Sequence, residues 1–171
     1  MVDFISVLGE AAEIAPEMQA IIHANSIDAS DFPESVTKYL PSVAKWKFPE
    51  SEIPNRRDLR NERIFTCDPR TCRDMDDALH IKKLPSGNYQ IGVHIADVSY
   101  HVLPNSKIDM IARERSTTVY MVGKVVTMLP HALSEKLCSL EPDADRPAFS
   151  VIWEITEAGD IVSEWCDFGC F

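Results

Sequence analysis

The chain is 171 residues long, 45% hydrophobic and 26% charged, which suits one soluble globular domain with a sizeable core. No run of eighteen apolar residues is present, so a membrane-spanning helix is not expected. The net charge of −10 argues against a simple nucleic-acid-binding module, which is usually basic. Cys67, Cys72, Cys138, Cys166 and Cys170 are odd in number and lack zinc-finger spacing, which favours a reducing, intracellular setting. The start, Met1-Val2-Asp3-Phe4, has no positive flank of the signal-peptide kind.

Charge is unevenly spread. Residues 1–52 hold nine acids and three bases; from residue 53 onward there are eighteen acids and fourteen bases. In residues 1–24, Ile5, Leu8, Ala12, Ile14, Met18 and Ile21 recur at helical spacing, with Pro16 expected to break or restart the helix. Residues 25–55 read as a connector with brief helical content, punctuated by Pro33, Pro41, Pro49 and Pro54. Trp46 and Phe48 are expected to anchor it to the body that follows. The domain organisation is therefore an acidic connector over 1–55 and a body over 56–171.

Asp68-Pro69 biases Asp68 towards an extended backbone, with Arg70 to Arg73 as a loop. Asp76 to Leu84 and Tyr89 to Val98 are expected to pair as a hairpin about Pro85-Ser86-Gly87-Asn88. Ser106 and Asp109 form a capping box that opens a helix. Ser116 to Val126, rich in Thr and Val, reads as extended and carries Tyr120. Pro130 suits a first helical position, after which Leu133, Leu137 and Leu140 share a face. Ala148 to Glu157 and Ile161 to Trp165 read as a second hairpin about Ala158-Gly159-Asp160. The expected fold class is mixed α/β (α+β), with mostly antiparallel strands and flanking helices.

The chemistry concentrates in Asp68, Asp74, Asp76 and Asp77, four carboxylates within ten residues of an otherwise apolar stretch. Unpartnered carboxylates this close repel and are costly to desolvate, so a divalent metal with oxygen ligands is the economical partner. Asp74 and Asp76, two apart, share one side of an extended chain; Asp77 faces the other way unless a bulge intervenes. Two Mg²⁺ ions about 3.5–4 Å apart would clamp the attacking and leaving oxygens of a phosphoryl transfer. The competing readings are a solvated acidic loop and an EF-hand, but the EF-hand glycine and closing glutamate are missing. Arg56, Arg57, Arg60, Arg63, Arg70 and Arg73 precede or interleave with the cluster. They suit a phosphate beside the metal, or equally a surface that neutralises its own acids.

Arg57-Asp58-Leu59-Arg60, Phe65 to Pro69 and Arg73-Asp74-Met75-Asp76-Asp77-Ala78 resemble the start of the catalytic domain of the ribonuclease II (RNB) family. The resemblance continues through Gly92 to Ser99, Met128-Leu129-Pro130 and Leu137-Cys138-Ser139-Leu140, covering about residues 56–165. Residues 8–14 and 30–32 resemble the Dis3-like exonuclease 2 branch, which implies a cytoplasmic enzyme that favours 3′-uridylated RNA. The resemblance implies a 3′–5′ exoribonuclease in RNA decay, including mRNA decay. Such an enzyme hydrolyses single-stranded RNA to nucleoside 5′-monophosphates with Mg²⁺, or Mn²⁺ in its place. It implies metal binding by Asp68, Asp74, Asp76 and Asp77, with Asp76 and Asp74 catalytic and Asp76 the residue whose loss stops cleavage. It implies that Tyr120 stacks on the 3′-terminal nucleotide; the plainer reading is a half-buried strand tyrosine. His94 and Asp97 are read as structural. Neither a membrane nor a stable protein partner is expected. Cys67 and Cys72 replace small aliphatic residues of the family, with little effect expected. The family's catalytic arginine, a later acid and most of its RNA channel would lie beyond Phe171, so the body is read as a truncated catalytic domain. The alternative function is therefore a non-catalytic fragment that binds metal or RNA weakly.

Overall fold

The computed structural model describes residues 6–171; Ile5 of the expected first helix lies outside them. Helix α1 (Ile14–Ala24) holds Pro16 in its first turn, where a missing amide N–H breaks no helical bond, so the proline restarts the helix. Before it the chain turns, with Ala12 at φ 68° and its N–H donated to Glu17 Oε1 at 3.0 Å. Helix α2 (Glu34–Thr37) is a single turn in the connector. The connector is pinned by Arg115, which donates to Asp28 Oδ2 and Ser30 O and lies 4.1 Å from the Phe32 ring centroid. Trp46 packs edge-on to His101 at 5.1 Å, and Phe48 is buried. None of the helices among the described residues is long and apolar enough to cross a membrane.

The strands are β1 (Arg57–Asp58), β2 (Ile64–Phe65), β3 (Asp77–Lys83), β4 (Tyr89–Ala96), β5 (Val119–Met121), β6 (Lys124–Val126), β7 (Pro147–Ile155) and β8 (Ile161–Cys170), with helix α3 (Lys107–Arg115) between β4 and β5. Six of them form one sheet in the order β1-β8-β7-β4-β3-β2, while β5 and β6 make a separate hairpin. All neighbours in the large sheet are antiparallel except β1 and β8, which run parallel through Arg57↔Gly169 and Asp58↔Cys170. Both expected hairpins form. The first begins one residue later than expected, at Asp77, and β8 runs on past Trp165 to Cys170. Ser106 Oγ accepts the Asp109 N–H at 3.2 Å and caps α3 as its spacing predicts.

The buried side of the sheet is its small-residue side. Ala78 on β3, Ala96 on β4 and Ala148 on β7 share one face with His80, Gly92, His94 and Ser150. Leu133, Leu137, Cys138 and Leu140 pack with Ala78 and Ala96 in the core. The segment carrying them includes one π-helical turn over Leu133–Leu137. Small strand residues let that backbone approach closely, so the leucines rather than the strands supply the apolar bulk. The other face, with Ile81 and Ile95, stays 48% and 46% exposed.

One hydrogen-bonded row crosses three strands of the buried face. Gln90 Oε1 meets His80 Nε2 at 3.3 Å, His80 Nδ1 meets His94 Nε2 at 2.7 Å, and His94 Nδ1 meets Ser150 Oγ at 2.8 Å. Burial pushes the His94 pKa down to about 4 and that of His80 below its usual value. Both rings are therefore neutral when folded, whereas the unfolded chain takes up protons near pH 6.5. Stability is full above that pH and declines as pH falls from about 6.5 towards 4, since only the unfolded state gains protons there. Thermal unfolding at pH 7.5 and pH 5 should show a Tm several degrees lower at pH 5; equal Tm values would contradict the neutral pair.

Candidate active site

Asp68 lies in the loop after β2, and a turn closes behind it through the Cys72 N–H on Pro69 O at 2.9 Å. The chain then runs without regular secondary structure through Asp74 to Asp76, whose carbonyl accepts the Ala96 N–H at 2.9 Å. Asp77 opens β3 opposite Ile95. Asp74 and Asp76 both line a cleft of about 700 Å³. The cleft is also lined by Tyr120, Lys124, Thr127 and His131, while Asp68 and Asp77 stand outside it. A second hollow of about 310 Å³ adjoins the same two carboxylates and has an apolar wall of Ile95, Met128 and Leu129.

Tyr120, on β5, is 67% exposed rather than half-buried, and its hydroxyl donates to Asp74 Oδ2 at 2.9 Å. That bond is the main reason its phenol pKa is raised. The Cys72 thiol also reaches the cluster, 3.6 Å from Asp68 Oδ1 and 3.7 Å from Asp74 Oδ1. Burial and then the negative charges of Asp74, Asp77 and Asp68 push the Asp76 carboxyl pKa up, and no cationic side chain offsets them. Hard oxygen donors crowded about Asp76 fit Mg²⁺ or Mn²⁺ in chemistry. Among the described residues, no three His, Cys, Asp or Glu side chains already gather about one point. The fit therefore rests on donor type and charge.

The arginines divide between the two roles left open by the sequence. Arg56 pairs with Asp97 at 2.7 Å, and Arg60 with Asp58 at 2.7 Å, so these two neutralise neighbours. Arg73 lines the cleft and makes no ion pair among the described residues. Asp97 also accepts from Ser99 Oγ and the Tyr100 N–H, capping the turn after β4, and His94 lies wholly inside the sheet. Both act structurally. Lys124 and His131 were not singled out by sequence. The only signals for them are Gly123-Lys124 at the tip of the Tyr120 hairpin and a histidine directly after Pro130.

The model of the RNB domain matches residues 56–170, so the likeness does not stop at Trp165 as expected from sequence but follows β8 to its end. The chain is 54% identical over 158 residues to the DIS3-like exonuclease 2 of Xenopus tropicalis, covering 92% of this chain and 19% of that protein. It is 46% identical over 157 residues to a protein of Arabidopsis thaliana named inactive exonuclease DIS3L2, covering 92% of this chain and 15% of the other. The solved structure of Mycoplasma genitalium RNase R with ribose-methylated single-stranded RNA superposes with a TM-score of 0.83 at 31% identity, over 95% of this chain and 25% of that one. The chain thus spans about a fifth or less of the length of these curated relatives.

Proposed function

The chain belongs to the RNB-domain family, and from that premise we propose that its acidic cleft is the hydrolytic centre of a 3′–5′ exoribonuclease. The observation that carries the reading is the union, in one cleft, of Asp74 and Asp76 with an exposed tyrosine hydrogen-bonded to one of them. The substrate is single-stranded RNA, including 3′-uridylated RNA, and the products are nucleoside 5′-monophosphates. Asp68, Asp74, Asp76 and Asp77 would hold Mg²⁺ or Mn²⁺, with residues 1–55 as the connector to this catalytic portion. When bound, the metal supplies charge for the phosphate and an acidified water.

The chain's own part is to bind and orient. Tyr120 presents an open ring face on which any terminal base can stack, which grips an end without reading sequence. Its hydroxyl holds Asp74 by Oδ2, while the Cys72 thiol lies 3.7 Å from Oδ1, so the carboxylate is oriented from both sides. Arg73 and Lys124 supply positive charge along the cleft for the sugar–phosphate backbone. The setting proposed is cytoplasmic mRNA decay without a stable protein partner, supported by the sequence resemblance alone.

The test is 5′-labelled oligouridine incubated with the chain and Mg²⁺. Stepwise shortening from the 3′ end, release of uridine 5′-monophosphate and arrest by chelator are expected. Unchanged RNA would favour the second reading, a weak, non-catalytic binder of metal or RNA. Tyr120→Ala should weaken binding of a short oligonucleotide by about 5- to 150-fold, the value of one base–aromatic stack of ~1–3 kcal/mol. Tyr120→Phe should keep most of that affinity; equal losses in both variants would remove stacking from the account.

A further inference from the structure

Residues 73–76 carry the two cleft carboxylates but belong to no strand or helix. What shapes them lies 64 to 66 residues away. Ser139 is fully buried. Its hydroxyl accepts the Met75 N–H at 3.1 Å and donates to Arg73 O at 3.3 Å. Its neighbour Leu140 donates its N–H to Met75 O at 2.9 Å. Three hydrogen bonds therefore fix the backbone on both sides of Asp74 and directly before Asp76.

Ser139 is itself held from behind. The buried Arg146 guanidinium donates to Ser139 O from Nε and to Lys136 O from Nη2, each at 3.0 Å. The Arg146 main chain pairs with Phe171, and Cys138 beside Ser139 is in the core. From the other side, the Ala96 N–H holds Asp76 O. Asp74 and Asp76 thus emerge from a backbone clamped at both ends, although their own side chains face an open cleft.

We propose that Ser139, braced by Arg146, is a positioning residue that sets the spacing and direction of the Asp74 and Asp76 carboxylates for cation binding. The proposal rests on the reading of those carboxylates as metal ligands. A carboxylate pair on an unbraced loop would have to be ordered at the moment the cation binds, and that ordering opposes binding. Groups that orient metal ligands in this way typically contribute 10- to 100-fold to metal affinity.

The experiment compares the whole chain with Ser139→Ala and with Ile152→Val, a core change on β7 away from the loop. Mn²⁺ affinity is read by electron paramagnetic resonance well below each Tm, and amide hydrogen exchange is read without metal. Ser139→Ala removes one oxygen and adds no bulk. It should weaken Mn²⁺ binding roughly 10- to 100-fold and speed exchange at Asp74, Met75 and Asp76 while β7 and β8 stay protected. Ile152→Val should leave Mn²⁺ affinity unchanged. Equal Mn²⁺ affinity in Ser139→Ala and the parent chain, or an equal loss in Ile152→Val, overturns the positioning role and leaves the metal reading standing. Absence of Mn²⁺ binding by the parent chain overturns the metal reading and this inference with it.

Discussion

Asp76→Asn is expected to slow oligouridine degradation about a hundred- to a thousandfold, the scale of losing a principal electrostatic contact to the reacting group. Asp76 is the carboxylate on which Asp68, Asp74 and Asp77 all act, and no arginine or lysine offsets them. Asparagine keeps the size of the side chain and leaves the Asp76 carbonyl on Ala96 untouched. The fold should therefore survive. Relief of repulsion should even leave Tm equal or slightly higher, because the parent chain pays for four like charges when no cation is present. RNA affinity should hold or rise, since one negative charge leaves the path of the phosphates. Lost turnover with retained stability and retained RNA binding is thus the expected signature. Activity within tenfold of the parent chain would remove Asp76 from the chemistry. A parallel fall in Tm and RNA affinity would show that the carboxylate serves the fold instead.

The residues that form this cleft differ in how openly the sequence displays them. The β3–β4 hairpin was legible because alternation and a Pro-Ser-Gly-Asn turn are local signals, and Gly87 takes the positive φ of 90° that such a turn needs. The two-residue spacing pointed to the pairing of Asp74 with Asp76, but the segment lies outside β3 and is held by Ser139 and Leu140 rather than by a strand partner. The position of Tyr120 against Asp74 did not, because it depends on a separate β5–β6 hairpin folding back over 46 residues. The parallel β1–β8 contact was equally hidden. Two residues pairing across more than a hundred leave no periodicity, and without that partner the local pattern of β8 stops at Trp165 while the strand runs to Cys170. Ser139 gave no signal of its role, since its partners are backbone atoms that any sequence carries. Which face of β4 lies inside was also undecided by its pattern. Ile91, Val93 and Ile95 are the more apolar set, yet Gly92, His94 and Ala96 are buried, because close approach of the Leu133–Leu140 segment requires small residues there.

Gly92→Ala should cause the largest loss of stability of any single methyl added to this sheet. Gly92 lies between the two histidines on the buried face, and a Cβ there would stand 2.3 Å from His80 Cε1 and Nδ1 and 2.9 Å from His94 Nε2. Neither ring can turn aside freely. His80 is held at both nitrogens by Gln90 and His94, and His94 at both by His80 and Ser150. Moving either ring breaks the 2.7 Å bond and leaves a buried ring nitrogen unpaired, a penalty of about 1–3 kcal/mol, on top of about 1–3 kcal/mol for overpacking. For a chain of this size each kcal/mol lowers Tm by about 2–4 °C, so a fall of roughly 5–20 °C is expected. Gly87→Ala is the comparison. It meets nothing within 4 Å and is strained only by its positive φ, so it should lose much less. His80→Ala placed on Gly92→Ala separates the causes: removing the ring opens room for the methyl, and the double variant should be more stable than the sum of the single losses. Strict additivity would show that Gly92 is needed for some reason other than the histidine row. Its Cα lies on the strand that ends beside Asp76 through the Ala96 bond. Any β4 displacement that survives folding should therefore also appear as altered amide shifts at Asp76 and Asp77, linking the packing of the sheet interior to the shape of the cleft.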